Sequence, residues 1–302
     1  MRAAASAALL AAAALAPSLG AQTAWHHEKP AGTPHAVAFA NPELTESSGV
    51  AASRTQPGVL WTHNDSGNDA VVYATDTLGR DLGSFEVTGA TNVDWEAITV
   101  GPCRPAAARS CLFIGDIGDN LGNRPAITIY RVPEPRVEHG SPHRRPTARA
   151  AAVRARFPDG PRDAEAMLLT SRGDMLILNK GGDAIRLYRI PAAAWLGRRT
   201  VTAADLGPVP IVPERAALRL VTDAALAPDG VSVAVRTYRE IFFLRLEHGR
   251  LVPARPPTAC DAFGLQLQGE GVTWIDARHL ALTSERTFIQ AGSVAVISCP
   301  ST

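Results

Sequence analysis

Five times along the chain a polar residue is followed by a tiny one and then an apolar one: Ser48-Gly49-Val50, Glu96-Ala97-Ile98, Glu165-Ala166-Met167, Asp223-Ala224-Ala225 and Glu270-Gly271-Val272. The successive gaps are 48, 69, 58 and 47 residues. Self-similarity at that period is the signature of propeller blades, each a small sheet that cannot bury its faces alone. The expectation is an all-β chain forming a single β-propeller, with five blades of four antiparallel strands. Six blades stay open, because the 69-residue gap is long enough to hide a further hairpin.

Each triplet is followed by a turn signal, such as Gln56-Pro57-Gly58 or Pro228-Asp229-Gly230, and then by an apolar returning strand, such as Met175–Leu178 or Val231–Val235. Third strands follow, and Gly83–Val87, Val153–Phe157 and Leu251–Ala254 read as fourth strands. The last unit lacks a fourth, whereas His35–Ala40 precedes the first unit and belongs to no other. Pairing that N-terminal strand into the last blade leaves the ring without a bare edge. The Pro/Arg-rich stretch Pro135–Ala150 reads as a connecting loop.

Residues 1–21 have the pattern of a signal peptide: Arg2, an apolar run from Ala3 to Leu15, then Pro17, Ser18, Gly20 and Ala21. No later stretch is apolar enough for a spanning helix. The expectation is a secreted or periplasmic protein whose propeller occupies residues 22–302, monomeric and without a membrane span. A formal charge of +1 gives no field to draw nucleic acid. Four cysteines in an exported chain permit three pairings; Cys103–Cys111, across a short loop, with Cys260–Cys299, tying one repeat to the last strand, is the pairing preferred.

On a strand, alternate residues share a face. The triplets therefore aim Ser48, Glu96, Glu165, Asp223 and Glu270 at the axis, above an apolar plug of Val50, Ile98, Met167, Ala225 and Val272. Two positions earlier stand Glu46, Asp94, Asp163, Val221 and Gln268, a further polar ring. The small residues between face neighbouring strands. Gathered carboxylates disfavour one another's ionisation, so an all-oxygen set of this kind suits a hard cation. Calcium, which accepts 6–8 oxygens in loose geometry, fits better than magnesium or zinc. A structural ion or axial water is the plainer alternative.

The returning strands carry polar residues toward the same mouth. His63, Lys180 and Glu285 each lie 15 positions after their column residue. His63 is a candidate proton carrier, and Lys180, one of only two lysines, a candidate oxyanion contact. Arg236 and Arg124 are candidates to hold an anionic substrate, or to pair with ring carboxylates. Gly115-Asp116-Ile117-Gly118-Asp119-Asn120 offers a general base or oxygen ligands, and is not a P-loop.

At this column the chain resembles the secreted calcium-activated nucleotidases of the apyrase type, five-bladed propellers with an axial calcium held by one serine or glutamate per blade. Asp223 departs from the serine expected there. Asp94-Trp95-Glu96-Ala97-Ile98 and Gly115–Asn120 are also similar to uncharacterised bacterial secreted propellers of phytase or esterase style. The resemblance implies a calcium-dependent phosphohydrolase, with Lys180 and Arg236 steadying the leaving charge and Asp116 or Glu285 orienting water. Two other readings stand beside it: a calcium-dependent lactonase or esterase, and a non-catalytic calcium-stapled propeller that binds a glycan or peptide. No Gly-x-Ser-x-Gly elbow supports a serine hydrolase.

Overall fold

The computed structural model describes residues 23–138, 144–182, 184–211 and 219–300. Residues 1–21, expected to be a signal peptide, lie outside the described residues. The described chain is a five-bladed β-propeller, and the long second gap contains no sixth blade.

Blade 1 is built from Ser47–Ala52, Leu60–Asn64, Val71–Thr75 and Gly83–Glu86, and blade 2 from Trp95–Pro102, Ser110–Asp116, Ile127–Pro133 and Ala151–Arg156. Blade 3 takes Ala164–Leu169, Met175–Asn179, Arg186–Ile190 and Ala204–Pro208, the last a fourth strand without a sequence signal. Blade 4 takes Val221–Leu226, Ser232–Thr237, Glu240–Glu247 and Arg250–Asp261. Blade 5 combines Gly269–Trp274, His279–Ser284 and Ser293–Ser298 with the N-terminal strand Ala36–Ala38, antiparallel to Ser293–Ser298 as expected. The first strands of the blades touch one another in cyclic order around the axis.

The connections between third and fourth strands add clasps. Arg145–Pro146, inside the stretch expected to be loop, pairs in parallel with the outer edge of blade 1 before the chain returns to blade 2. Val201–Thr202 does the same from blade 3 to blade 2. The N-terminal segment repeats this pattern: His26–Glu28 lies parallel on blade 4 before Ala36–Ala38 completes blade 5. Both expected disulfides are present, Cys103–Cys111 and Cys260–Cys299. No helix among the described residues is long and apolar enough to cross a membrane.

The core is a set of layers between adjacent blades. Phe113 and Ile129 of blade 2 pack with Met167, Ile177 and Tyr188 of blade 3, and Leu176, Leu178 and Leu187 of blade 3 pack with Val235 and Phe242 of blade 4. Middle strands are covered on both faces, which is why Met175–Leu178 reads as a continuous apolar run. Each fully buried side chain of this size contributes about 1.5–3 kcal/mol, so the axial wall rests on a stiff frame.

Candidate functional site: the acidic mouth

Every inner strand carries a register shift where its polar column residue sits: between Ser47 and Val50, Trp95 and Ala97, Ala164 and Ala166, Val221 and Asp223, and Gly269 and Val272. A bulge leaves its extra residue unpaired and re-aims the side chain. The bulged residues are Ser48, Glu96, Glu165 and Glu270, as the sequence pattern expects, but in blade 4 the residue is Thr222. Thr222 Oγ1 donates to the Glu270 carbonyl (2.8 Å), and Ser48 Oγ to the Glu96 carbonyl (3.2 Å). The ring is thus hydroxyl, carboxylate, carboxylate, hydroxyl, carboxylate.

Asp223 occupies the position held elsewhere by the small residues. A Cβ on Gly49 would come within 2.7 Å of the Ile98 nitrogen on the next blade. Asp223 instead accepts from the equivalent nitrogen, that of Val272 (2.9 Å), and from Ala224 N–H (2.8 Å). Its carboxylate, with a pKa pushed well up by burial, spends its oxygens on inner-edge backbone.

A second repeated bond fixes the rim. The N–H groups of Asp65, Ile117, Lys180 and Glu285 donate to the carbonyls of Glu46, Asp94, Asp163 and Gln268 (2.9–3.1 Å). Lys180 and Glu285 therefore stand at the mouth, and in blade 1 the equivalent position is Asp65. His63 is fully buried behind it, its ring edge-on to Trp95 at 5.7 Å and its Nδ1 donating to the Asn64 carbonyl. Burial lowers its pKa to about 4.

Asp65, Asp94 and Glu96 present carboxylate oxygens within 4.8 Å of one another, and so do Glu96, Asp163 and Glu165. Glu96 is common to both triads and accepts from Ser48 Oγ at 3.0 Å. Asp94 is 8 % exposed, and its Oδ1 has no hydrogen-bond partner among the described residues. A Cβ on Gly118 would lie 2.6 Å from Asp94 Oδ2 and from Glu96 Oε1. Only glycine in the Gly115–Asn120 loop leaves these oxygens their space. Lys180 Nζ lies 2.6 Å from Glu165 Oε1 and 3.6 Å from Asp163 Oδ2.

Burial and mutual repulsion raise the carboxylates. Asp94 is pushed up to about 6, Glu285 to about 7 and Glu165 to about 8, in each case mainly by desolvation. Glu96 and Glu270 are also raised well above the usual range, by burial and then by Glu165. Burial opposes the charge on Lys180, but Glu165 and Asp163 outweigh it and raise its pKa. Tyr238, raised by burial and by Glu270, stays protonated near the same charges.

The other expected groups support the wall. Asp116 is paired with Arg124 at 2.6 Å and accepts from Asp94 N–H (3.1 Å); Arg124 also donates to the Gly118 carbonyl. This fixes the loop over the first triad. Arg236 is 2 % exposed, donating to the Gly271 and Thr283 carbonyls and to Gln266 Oε1 (2.6, 2.8 and 2.8 Å). It lies in the wall between blades 4 and 5. Asp65 and Thr222 entered no sequence-based site, and Asp94 and Asp163 were placed in a polar ring without a ligand role. Hairpin length was the available signal for Asp65.

The larger recesses lie elsewhere. One of about 770 Å³ sits at the opposite end of the inner strands, between blades 4 and 5, lined by Phe243, Arg245 and Trp274. It holds none of the mouth carboxylates. The chemistry-bearing groups converge at the mouth, and that decides the candidate.

The fold and the mouth define a five-bladed propeller with an acidic axial opening. No protein-family profile matches the chain, and no curated protein does. Solved structures similar to it include the PQQ-bound aldose sugar dehydrogenase from Streptomyces coelicolor, at 12% identity and a TM-score of 0.50, covering 89% of this chain and 99% of that one. Others are the calcium-binding protein regucalcin from Agrobacterium tumefaciens (12%, TM-score 0.45, covering 90% and 96%) and a luciferin-regenerating enzyme (11%, 0.46, 88% and 95%). At these identities the likeness bears on fold alone.

Proposed function

We propose that the protein is an exported calcium-dependent hydrolase of neutral esters or lactones, acting at the acidic mouth. The observation that carries the reading is the convergence of Asp65, Asp94, Glu96, Asp163 and Glu165, with the buried Asp94 Oδ1 left unpartnered and Gly118 leaving room beside Asp94 Oδ2 and Glu96 Oε1. An all-oxygen donor set with loose spacing fits calcium. Bound there, the ion supplies a Lewis acid for a carbonyl oxygen.

The chain's own groups cover the rest. Glu285, with a pKa of about 7, is suited to take a proton from water at neutral pH. It is held by Gln268 Nε2 at 2.5 Å. Lys180 offsets negative charge beside Glu165, and Tyr238 remains a donor. Charge favours a neutral substrate over the small anionic one expected from sequence: Glu46, Asp65, Asp163 and Glu285 act on one another across the mouth with Lys180 as their cation, while Arg124 and Arg236 are committed to Asp116 and to backbone carbonyls.

One observation favours phosphate ester or anhydride hydrolysis as a second reading. Thr222 supplies a hydroxyl where the nucleotidase resemblance expects a serine, so the fourth blade no longer departs from it in donor type. A substrate panel separates the two: p-nitrophenyl acetate and butyrate and a δ-lactone against p-nitrophenyl phosphate and nucleoside diphosphates, each with calcium and with chelator. Calcium-dependent turnover of the carbonyl set is the expected result. Turnover confined to the phosphate set moves the assignment to the second reading, and none at all leaves a propeller that binds a glycan or peptide.

A further inference from the structure

The two acidic triads share one residue, Glu96, but their surroundings differ. The Glu96–Asp163–Glu165 triad already holds a cation: Lys180 Nζ is 2.6 Å from Glu165 and 3.6 Å from Asp163. One oxygen of Asp163 is further occupied by the N–H of Asp119 at 2.8 Å. The Asp65–Asp94–Glu96 triad has no such cation among the described residues. Within it Asp94, more than nine-tenths buried, keeps an oxygen without a partner. Leaving a buried carboxylate oxygen unpaired costs more than an ordinary hydrogen bond returns, so the asymmetry points to a ligand in that triad.

We propose that the mouth is a two-cation centre in which the chain supplies one cation itself: a divalent metal ion sits off the axis in the Asp65–Asp94–Glu96 triad between blades 1 and 2, and the Lys180 ammonium fills the neighbouring triad. Glu96 bridges the two positions. The Asp116–Arg124 pair braces the loop above the metal position, with Gly118 leaving the space into which Asp94 and Glu96 point. Glu270, which belongs to neither triad, is not a metal ligand on this assignment. A tethered ammonium neutralises one carboxylate pair at every calcium concentration and keeps a second ion out.

This rests on the calcium reading of the mouth and refines it. Calorimetric titration of the mature protein with calcium chloride tests it, with circular dichroism to confirm that each variant is folded. The wild type binds one ion per chain. Asp94→Asn weakens binding by at least about 10-fold; Asp65→Asn, at a partly exposed position, does the same and serves if Asp94→Asn fails to fold. Glu270→Gln binds as the wild type does, and Lys180→Met binds two ions. A wild type that binds no divalent ion overturns both this assignment and the calcium reading. Binding lost in Glu270→Gln and kept in Asp94→Asn and Asp65→Asn places the ion on the axis, which overturns this assignment and leaves the calcium reading standing. A single ion in Lys180→Met overturns the role given to the lysine.

Discussion

Thr222 Oγ1 donates to the Glu270 carbonyl at 2.8 Å, repeating the bond that Ser48 Oγ makes to the Glu96 carbonyl. Each ties one bulge to the next blade at the level of the mouth. Thr222→Val keeps the shape and removes the donor, so it destabilises the fold by about 1 kcal/mol. Thr222→Ser retains stability. Urea denaturation of the two variants measures the difference.

Gly118→Ala adds a single methyl group where Asp94 and Glu96 pass closest to the loop, 2.6 Å from an oxygen of each. The carboxylates must swing away from it. Calcium affinity falls by about 10-fold or more, and because Asp94 Cγ also lies 2.6 Å from the added carbon, the melting temperature of the calcium-free protein falls as well. An unchanged calcium isotherm would contradict the position assigned to these oxygens.

Without metal, the mouth loses stability as pH rises. Asp94 and Glu285 hold protons in the folded chain up to about 6 and 7, whereas the unfolded chain releases them near 4. The folded state then binds more protons across that interval, so this contribution is complete below pH 4 and is lost as pH rises toward 7. Melting curves in chelator show a falling midpoint between pH 5 and 7. Calcium displaces the Asp94 proton, so its stabilising shift is larger above pH 6 than below it.

Arg236→Met leaves the Gly271 and Thr283 carbonyls without their buried donor and removes the cation beside Glu270 and Asp223. Loss of one partner from such a buried set costs about 3 kcal/mol or more. The consequence falls on stability: at a temperature where the variant remains folded, KM for a turned-over substrate stays unchanged. A raised KM at full stability would put this guanidinium on substrate instead.

The blade number and the closing strand were legible from the long repeat and its one incomplete unit, and the carboxylates of blades 2, 3 and 5 from short-range alternation. Residue by residue the reading slipped wherever a bulge or hairpin changed length. In blade 4 both Thr222 and Asp223 are polar, and only the strand register shows that the extra residue is the threonine. In blade 1 the hairpin is two residues longer than in blades 3 and 5, so a constant offset fell on His63 and passed over Asp65. Arg236 looked available because its neighbours Thr237 and Tyr238 approach the mouth. Its side chain goes the other way, into space that Gly269 leaves open: a Cβ there would lie 1.9 Å from Arg236 Nη2.

The clasps on the rim couple distant stretches of polypeptide. His26–Glu28 and Ala36–Ala38 belong to blades whose other strands are the last made, and Cys260–Cys299 bolts those two blades together. During synthesis the leading segment must therefore wait, unmatched, until nearly the whole chain has emerged. The toroid seals late, and a chain shortened at its leading side loses an outer strand from blade 4 as well as the closing strand of blade 5, leaving bare, adhesive edges there.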